Sequence, residues 1–259
     1  MSAGNSAPQW QRVIEEALEQ DKKANVYQFA TIQRSDSLRD VPIPCVRSLI
    51  HRAFVTPRSA AHPFLLTTTD ARTPKVSQLA KSPYVELAWW FPQQQSQMRI
   101  AGFAYVYPAP DFILTGADTA PGEKKRDIER SVAGLRGSFP GTELAGGGEF
   151  DWEKERRARF DGMSGHMRAS WLRPVPGTRL VDPNSAKEWP ETVPKLEEVN
   201  QEKGGEKNLK KQVEDALRNF ALVVIDPIEV DYVELGVIPN RRTRFFKEGW
   251  EWKEEALVP

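Results

Sequence analysis

The stretch FLLTTTDARTPKVSQLAKSP, from Phe64 to Pro83, puts a strand, a run of hydroxyl side chains and a helix start next to one another. Its first three residues are bulky and apolar, which predicts a buried strand. Thr73 is a residue type favoured as a helix N-cap, and Pro74 suits the first helical turn. We therefore predict a strand that passes through a short loop, with Asp70 and Arg72, into a helix.

The start of this helix is a candidate phosphate site. Free backbone N–H groups and the positive end of the helix dipole favour an anion there. Four side chains would add positive charge or hydroxyl donors, namely Thr69, Arg72, Thr73 and Lys75. An ordinary strand-to-helix turn with two solvated basic residues explains the same sequence, because capping alone accounts for Thr73 and Pro74.

Composition limits the possible classes of protein. The chain has 259 residues, 39% of them hydrophobic, which suffices for one large domain or two small ones. Lysine plus arginine and aspartate plus glutamate number 36 each, so no bulk charge indicates binding to nucleic acid or to a membrane. Cys45 is the single cysteine and the three histidines lack HExxH-type spacing, so we expect no metal site. A targeting pattern and an apolar run of ~18 residues are also missing, so we expect a soluble, cytoplasmic protein.

The remaining pattern predicts a mostly-β domain with helices on its outside. Apolar and aromatic runs predict strands at 27–33, 41–52, 84–91, 97–107, 220–225, 230–235, 242–247 and 249–253. Helical spacing predicts helices at 8–23 and 151–171, and the basic residues of the second are interpreted as a solvated face. Pro42 and Pro44 predict that their strand pairs fully only from Cys45 onward, and Gly102 predicts a bulge or a close backbone approach.

We predict that residues 1–259 form one domain with two irregular parts. Residues 108–150 are rich in proline, glycine and charge, which is typical of an insertion or mobile loop. Residues 182–208 are polar and charged, which predicts an exposed linker.

Eight segments occur in order along the chain: RSLIHRAF (Arg47 to Phe54), FLLTTTDARTPKVSQL, ELAWWFP, QMRIAG, RPVPG (Arg173 to Gly177), IDPIEVDYVEL, RRTRF and WEWKEEALVP. Together they resemble the pyridoxamine 5'-phosphate oxidase-like FMN-binding proteins, and more closely the FMN-binding-domain branch than the vitamin B6 enzyme. The resemblance covers nearly the whole chain. It implies an α+β fold that is mostly β, a split β-barrel of Greek-key type, and a homodimer with FMN in the groove between subunits.

The same resemblance implies roles at the phosphate end of the cofactor. The family's strand along the flavin is matched by Arg47, Ser48, Leu49 and Ile50, with Arg47 towards the phosphate and ribityl chain. A hydroxyl pair is matched by Thr68 and Thr69. The phosphate-binding turn is matched by Arg72, Thr73 and Lys75.

Further matches concern the ring of the flavin and the substrate. Gln97 matches a glutamine that hydrogen-bonds the cofactor, and Arg244 matches an arginine near the ring. His166 and Met167 fall where the oxidase has a cofactor-contacting pair from the other subunit, although the identities differ. Arg52 matches a basic substrate-binding residue.

The substrate motifs of the oxidase are kept less well than its cofactor motifs. Asn240 and Arg242 stand where the oxidase has an arginine and a histidine, and the segment Arg156 to Ser164 lacks a matching tyrosine. The resemblance therefore implies an FMN-dependent, oxidase-like oxidoreductase for a small substrate, phosphorylated or not, with no catalytic side chain identified. The alternative is a flavin- or haem-binding protein without turnover, with His62 or His166 as the axial haem ligand. A nucleic-acid role for the basic helix is disfavoured by the zero net charge.

Overall fold

The computed structural model describes residues 7–35, 41–57, 62–110, 126, 129–135, 150–201, 207–249 and 251–259. Its strands are β1 (Val26–Ser35), β2 (Val41–Ile50), β3 (Ala53–Val55), β4 (Phe64–Asp70), β5 (Tyr84–Phe91), β6 (Ser96–Tyr107), β7 (Phe220–Glu234), β8 (Arg241–Glu248) and β9 (Glu251–Leu257). Its helices are α1 (Gln9–Gln20), α2 (Pro74–Lys81), α3 (Trp152–Asp161), α4 (Gly165–Ser170), α5 (Leu196–Gln201) and α6 (Lys207–Asn219). A 3-10 helix covers Pro183–Glu188, and residues 129–135 are helical.

The described strands form one antiparallel sheet that curls without closing. Its order is β2-β1-β5-β6-β7-β4-β3, and β8 and β9 continue from β7 along a separate branch. The curl brings β2 close to β4, although the two strands are not paired. The predicted mostly-β fold with peripheral helices, a split rather than a closed barrel, is confirmed.

Alternation along the strands separates an inner face from an outer face. In β5 every second residue is buried, namely Val85, Leu87, Trp89 and Phe91. These side chains pack inside the curl against Trp10 and Ile14 of α1, which closes one end. A second apolar core lies where α3, α4 and α6 cover β4 and β7, around Trp152, Phe160 and Phe220.

Two prolines and one glycine explain local features of the sheet. The register of β2 with β1 extends to Val41, so the prediction that Pro42 and Pro44 prevent pairing there is wrong. The strand tolerates both prolines because β2 is at the edge of the described sheet, where one side needs no ladder bonds. Gly102 marks a bulge against β7, and a Cβ there would overlap the Asp226 carbonyl, so both predicted reasons for this glycine apply.

The basic helical segment is organised differently from the prediction. It divides into α3 and α4, and two of its arginines are buried. Arg156 donates to the carbonyl oxygens of Leu217 (2.6 Å) and Phe220 (3.0 Å), and Arg168 donates to that of Val193 (2.9 Å). The interpretation of these two arginines as a solvated face is therefore wrong, because their guanidinium groups satisfy backbone carbonyls in the second core.

Three further sequence expectations concern two irregular segments and one pair of strands. Most of the predicted 108–150 insertion lies outside the described residues. In the 182–208 segment most described side chains are exposed or half-buried, but Val193 is buried in the second core. The strands expected at 220–225 and 230–235 are one continuous strand, β7.

A buried charge cluster joins the segment before β4 to β7 and β8. Asp226 Oδ1 lies 2.9 Å from His62 Nε2 and accepts a hydrogen bond from Lys247 Nζ at 2.7 Å. Burial works to raise the pKa of Asp226, but the hydrogen bonds and charges of His62 and Lys247 outweigh it, so this pKa lies below its ordinary value.

We expect Asp226→Asn to lower the free energy of unfolding at neutral pH by about 2–3 kcal/mol, because it leaves Lys247 buried without its carboxylate. The pKa of Asp226 is depressed in the folded protein, so its contribution is present above the unfolded pKa of about 3.9 and is lost as the pH falls further. The difference between variant and parent should therefore shrink in acid. Urea unfolding at several pH values measures it.

Asp215→Asn is the matched control, since Asp215 pairs with Arg218 on the exposed side of α6. We expect a change of at most about 0.5 kcal/mol for it. Equal effects of the two substitutions would contradict the role given to Asp226.

Candidate functional site

A cavity of about 580 Å³ opens between the edge of the sheet and the segment that follows α4. One wall consists of Ser48, Leu49 and Ile50 of β2 and the carboxyl end of β4. The other wall consists of Ser170, Trp171 and residues 173–180, with Met167 and Trp189. Its volume falls within the range of about 300–1,000 Å³ that is usual for cofactor and substrate sites.

Arg72 is held by a carboxylate next to it. Asp70 accepts two hydrogen bonds from the Arg72 guanidinium, at 2.9 Å and 2.6 Å, and one from the Arg72 backbone N–H at 2.8 Å. Arg72 Nη2 also reaches the carbonyl oxygen of Trp171 at 3.3 Å, and Arg72 does not line the cavity. The structure therefore gives Arg72 the task of holding the turn and joining it to the opposite wall.

Thr73 is at the N-cap position of α2, but its side chain does not cap the helix. Thr73 Oγ1 donates to the carbonyl oxygen of Asp70 at 2.8 Å instead. The prediction of a helix start at Thr73 and Pro74 is confirmed, while the prediction that the Thr73 hydroxyl caps the helix is wrong.

Lys75 lines the cavity and has only neutral hydrogen-bond partners among the described residues. Its Nζ donates to Thr69 Oγ1 at 2.5 Å and to Thr73 Oγ1 at 3.4 Å. Burial is the main cause that lowers the pKa of Lys75 to about 8, the positive charge of Arg47 lowers it further, and Asp70 opposes both. A partly buried ammonium group that pairs with no carboxylate costs free energy, and a bound anion would offset that cost.

Arg47 lies beside Lys75 and is likewise held by neutral groups. It donates to Thr31 Oγ1 at 2.5 Å, to the Cys45 carbonyl at 2.9 Å and to Gln78 Oε1 at 2.9 Å. Burial lowers the pKa of Arg47. Two partly buried cations without carboxylate partners among the described residues make this end of the cavity strongly electropositive.

Sequence reasoning missed the two residues that position Arg47. Gln78 is buried on α2 and accepts from both Arg47 and Thr31, the latter at 2.7 Å. The available signal was a glutamine on the apolar face of a short amphipathic helix, next to Val76 and Leu79. A buried amide there needs polar partners, which predicts a charged or hydroxyl group opposite.

The cavity is also lined by a second group of basic and aromatic side chains. Arg52 lines it, and its buried Nε has no hydrogen-bond partner in the described part of the chain. Arg173 and Arg179 come from the opposite wall, and the Arg173 guanidinium lies 5.7 Å from the centre of the Trp189 ring. The RPVPG segment contributes to the family resemblance, but the resemblance implied no ligand contact for it.

Gln97, Arg244 and His166 do not line the cavity. Gln97 and Arg244 point away from the inner core, on the outer face of the sheet, and Arg244 pairs with Glu229 at 2.6 Å and Glu255 at 3.0 Å. One row of cross-strand neighbours on this face runs from β2 to β8 through Ser48, Gln28, Ala88, Arg99, Asp231 and Arg244. His166 is exposed on α4, with Nδ1 at 2.6 Å from the Glu191 carbonyl, while Met167 lines the cavity.

The chain thus gathers part of the predicted set at one cavity. The cavity-lining members are Ser48, Leu49, Ile50, Arg52, Thr68, Thr69 and Lys75, with Arg47 directly behind Lys75. Among the described residues no group of three or more histidine, cysteine, aspartate or glutamate side chains could hold a metal ion. No helix in the same part of the chain is long and apolar enough to cross a membrane.

Comparisons with known proteins identify a related domain and a related fold. Residues 7–108 match the family model "Pyridoxamine 5'-phosphate oxidase, FMN-binding domain", and a comparison with curated proteins gives no match. A pyridoxamine 5'-phosphate oxidase-related, FMN binding protein from Nostoc punctiforme is similar in structure, with a TM-score of 0.65 and 23% identity over 98% of this chain and 100% of that chain. PhzG from Burkholderia lata, in complex with tetrahydrophenazine-1-carboxylic acid, has a TM-score of 0.55 and 15% identity over 96% of this chain and 90% of that chain.

The matched domain is an FMN-binding one, and the cavity suits such a cofactor. Lys75 and Arg47 offer positive charge, and neither forms an ion pair with a carboxylate among the described residues. Thr68 and Thr69 offer hydroxyl groups, and Leu49 provides apolar surface. The match ends at residue 108, so the wall formed by residues 167–189 lies outside it.

Lys75 provides a direct test of the electropositive end. In flavin-free protein we expect Lys75 to titrate near its pKa of about 8, well below the ordinary value of about 10.4, because burial disfavours the ammonium form. Inorganic phosphate should raise this pKa, since a bound anion favours the charged amine. NMR of the lysine side chains across a pH series measures both, and the Lys75→Gln variant identifies the resonance. A Lys75 resonance with an ordinary pKa, or one that phosphate does not shift, would contradict the phosphate site.

Proposed function

We propose that this chain, whose residues 7–108 belong to the pyridoxamine 5'-phosphate oxidase FMN-binding domain family, is an FMN-dependent oxidoreductase acting on a small organic substrate. The observation that carries the proposal is the pair Lys75 and Arg47 at one end of the cavity, two cations that have only neutral partners among the described residues. A phosphate monoester supplies the missing negative charge.

In this proposal the phosphate of FMN lies against Lys75, with the Thr69 hydroxyl as a further partner and Arg47 contributing positive charge from behind. Thr73 and Arg72 hold the turn, the latter through Asp70. The ribityl chain and ring follow Ser48, Leu49 and Ile50, with Thr68 nearby.

FMN supplies two-electron redox chemistry when it is bound, and the protein supplies binding, orientation and exclusion of water. Leu49, Ile50 and Trp171 provide apolar surface around the reacting region. Asp70 is the single carboxylate among the described cavity-lining residues, and Arg72 occupies both of its oxygens. We therefore assign no side chain the role of general base, and Arg52 is proposed to hold the substrate.

We also propose that the protein works as a homodimer with the cofactor between its subunits. The outer face of the sheet exposes apolar side chains that a monomer would not need, including Val46 (63% exposed), Tyr84 (50%) and Trp90 (46%). Gln97 and Arg244 lie on the same face, and five inter-strand steps, roughly 24 Å along the sheet, separate Arg244 from Ser48. A second copy packed on this face would bring its own Gln97 and Arg244 to the rim of the cavity. His166 is proposed as a further cofactor contact on that rim.

The haem alternative gains no support from the histidines. His62 Nε2 is engaged with Asp226 and Lys247, and His166 is held at the Glu191 carbonyl. Neither residue lines the cavity. Flavin binding without turnover differs from the main proposal only in the outcome of substrate tests.

Cofactor binding is tested by the absorption spectrum of the purified protein and by titration of flavin-free protein with FMN. We expect bound FMN and a dissociation constant that rises about 10- to 100-fold in Lys75→Gln, because a charge-assisted phosphate contact is lost. Lys75→Arg should restore most of the affinity. Lys154→Gln on the exposed side of α3 is the control.

Protein that takes up no FMN, or a Lys75→Gln variant that binds as tightly as the parent, would overturn the cofactor proposal. Turnover is tested separately by anaerobic mixing of the FMN-bound protein with a substrate panel that includes pyridoxine 5'-phosphate. Reduction of the flavin by a panel member supports an oxidoreductase. A flavin that stays oxidised throughout the panel would favour the non-catalytic alternative.

The homodimer is tested by sedimentation of a Val46→Glu, Trp90→Glu double variant. We expect a dimeric parent and a monomeric variant, because the substitutions place charges on two apolar side chains that the dimer would bury. FMN affinity should fall together with the dimer, since Gln97 and Arg244 would no longer reach the cavity. Lys154→Glu, which also introduces a negative charge on the surface, should leave both properties unchanged. A monomeric parent that binds FMN tightly would contradict the shared site.

A further inference from the structure

We propose that Arg173 and Arg179 determine substrate specificity by holding, together with Arg52, a negatively charged group of the substrate. We call these three side chains with Trp189 the arginine wall. The substrate would then be a small acid with a flat apolar body, carrying a carboxylate or a phosphate. This inference rests on the proposed function, because it concerns the part of the cavity that FMN leaves open.

The cations that line the cavity outnumber its carboxylates. Four cations line the cavity, namely Arg52, Lys75, Arg173 and Arg179, against one carboxylate, Asp70. The whole chain has a formal net charge of +0, so this concentration is local. Asp70 is already paired with Arg72, which lies outside the lining. A phosphate monoester carries about −1.5 to −2 charges, which Lys75 and Arg47 balance. The charges of Arg52, Arg173 and Arg179 then remain for a second anion.

The second argument is that these guanidinium groups are free to bind. No carboxylate in the described part of the chain pairs with Arg52, Arg173 or Arg179. Burial lowers the pKa of Arg52. Its ionisable neighbour Tyr27 offers no negative charge near neutral pH, because burial raises the pKa of that phenol. The buried Nε of Arg52 is a hydrogen-bond donor without an acceptor. An oxyanion can accept hydrogen bonds from such an unpaired guanidinium group, and two parallel hydrogen bonds are the most favourable geometry.

The third argument is that the loop between the two arginines is ordered by its own sequence. Pro174 and Pro176 restrict both themselves and the residues before them to extended backbone. Gly177 has φ +87°, which favours glycine, and Thr178 Oγ1 donates to the Val175 carbonyl at 2.8 Å. The turn therefore presents Arg173 and Arg179 from a defined loop, which lowers the entropy lost on binding.

The apolar body of the ligand is inferred from the aromatic side chains. Trp171 and Trp189 both line the cavity, and the Arg173 guanidinium sits over the Trp189 ring. A cation–π contact of this kind fixes the guanidinium without neutralising it, so Arg173 keeps its charge for a ligand. Flat apolar groups bind well between such surfaces. Trp171, Arg173, Arg179 and Trp189 lie beyond residue 108 and outside the matched domain, whereas Arg52 lies inside it.

The test uses FMN-saturated protein and four probes of similar size: benzoate, phenyl phosphate, benzyl alcohol and benzylamine. Binding is followed by changes in flavin absorbance and in tryptophan fluorescence. We expect benzoate and phenyl phosphate to bind at least about 10-fold more tightly than the neutral alcohol and the cationic amine. Whichever of the two anions binds more tightly identifies the charged group of the substrate.

Variants of the wall assign this preference to its residues. Arg173→Gln and Arg179→Gln should each weaken anion binding about 5- to 10-fold and leave the affinity for FMN unchanged within about 2-fold. Arg218→Gln, the same substitution on the exposed side of α6, should change neither affinity. Equal affinity for benzoate and benzyl alcohol, or full anion binding in the Arg173→Gln, Arg179→Gln double variant, would overturn the inference while leaving FMN binding intact.

Failure of the proposed function gives a different result. If the chain takes up no FMN, the titrations are repeated by tryptophan fluorescence in a Lys75→Gln background, which removes the competing phosphate end. A preference for anions that disappears in the double variant would support the arginine wall without the flavin. The lack of such a preference would overturn both.

Discussion

The ammonium group of Lys75 is the constraint around which this protein is organised. It is partly removed from water, its hydrogen-bond partners among the described residues are the hydroxyls of Thr69 and Thr73, and the positive charge of Arg47 acts on it. Such an arrangement costs free energy in the empty chain, and the surrounding fold maintains it. These two cations are adjacent because three elements lie next to one another: the end of β4, the start of α2 and the edge strand β2. The same arrangement forms the cavity.

Local sequence was sufficient to predict β4 and the start of α2. The buried strand, the threonines and the helix start at Thr73 and Pro74 are all signals within a few residues of one another. The apolar and aromatic runs at 84–91 and 97–107 likewise predicted two strands, which the structure shows as β5 and β6. The resemblance to an FMN-binding family was carried by eight segments along nearly the whole chain, and the first four of them, from Arg47 to Gly102, fall inside the matched residues 7–108.

Features that depend on distant partners could not be predicted in this way. The role of Arg72 as a phosphate ligand stays a prediction, but its contact with the carbonyl oxygen of Trp171, 99 residues later in the chain, could not be read from a local motif. The arginines of α3 and α4 looked solvated, but Arg156 and Arg168 satisfy backbone carbonyls that come from α6, β7 and the segment before α5. The edge position of β2, which makes Pro42 and Pro44 harmless, depends on the order of strands across the whole sheet.

The candidate site residues fall into three groups at different places in the fold. One group of residues surrounds the cavity, a second group lies on the outer face with exposed Val46 and Trp90, and the wall with Arg173 comes from outside the matched domain. In our account the first group binds a cofactor, the second belongs to a neighbouring subunit's site, and the third selects the substrate. Cofactor binding and substrate choice would then depend on different parts of the chain, which allows one to change while the other is kept.

A crystal structure of the protein with FMN tests the central claim most directly. Our account predicts the phosphate within hydrogen-bond distance of Lys75 Nζ and Thr69 Oγ1, the flavin ring along Ser48 to Ile50, and Arg173 and Arg179 free of the phosphate. A phosphate bound at Arg52, Arg173 and Arg179, with Lys75 still joined only to its two threonines, would contradict it.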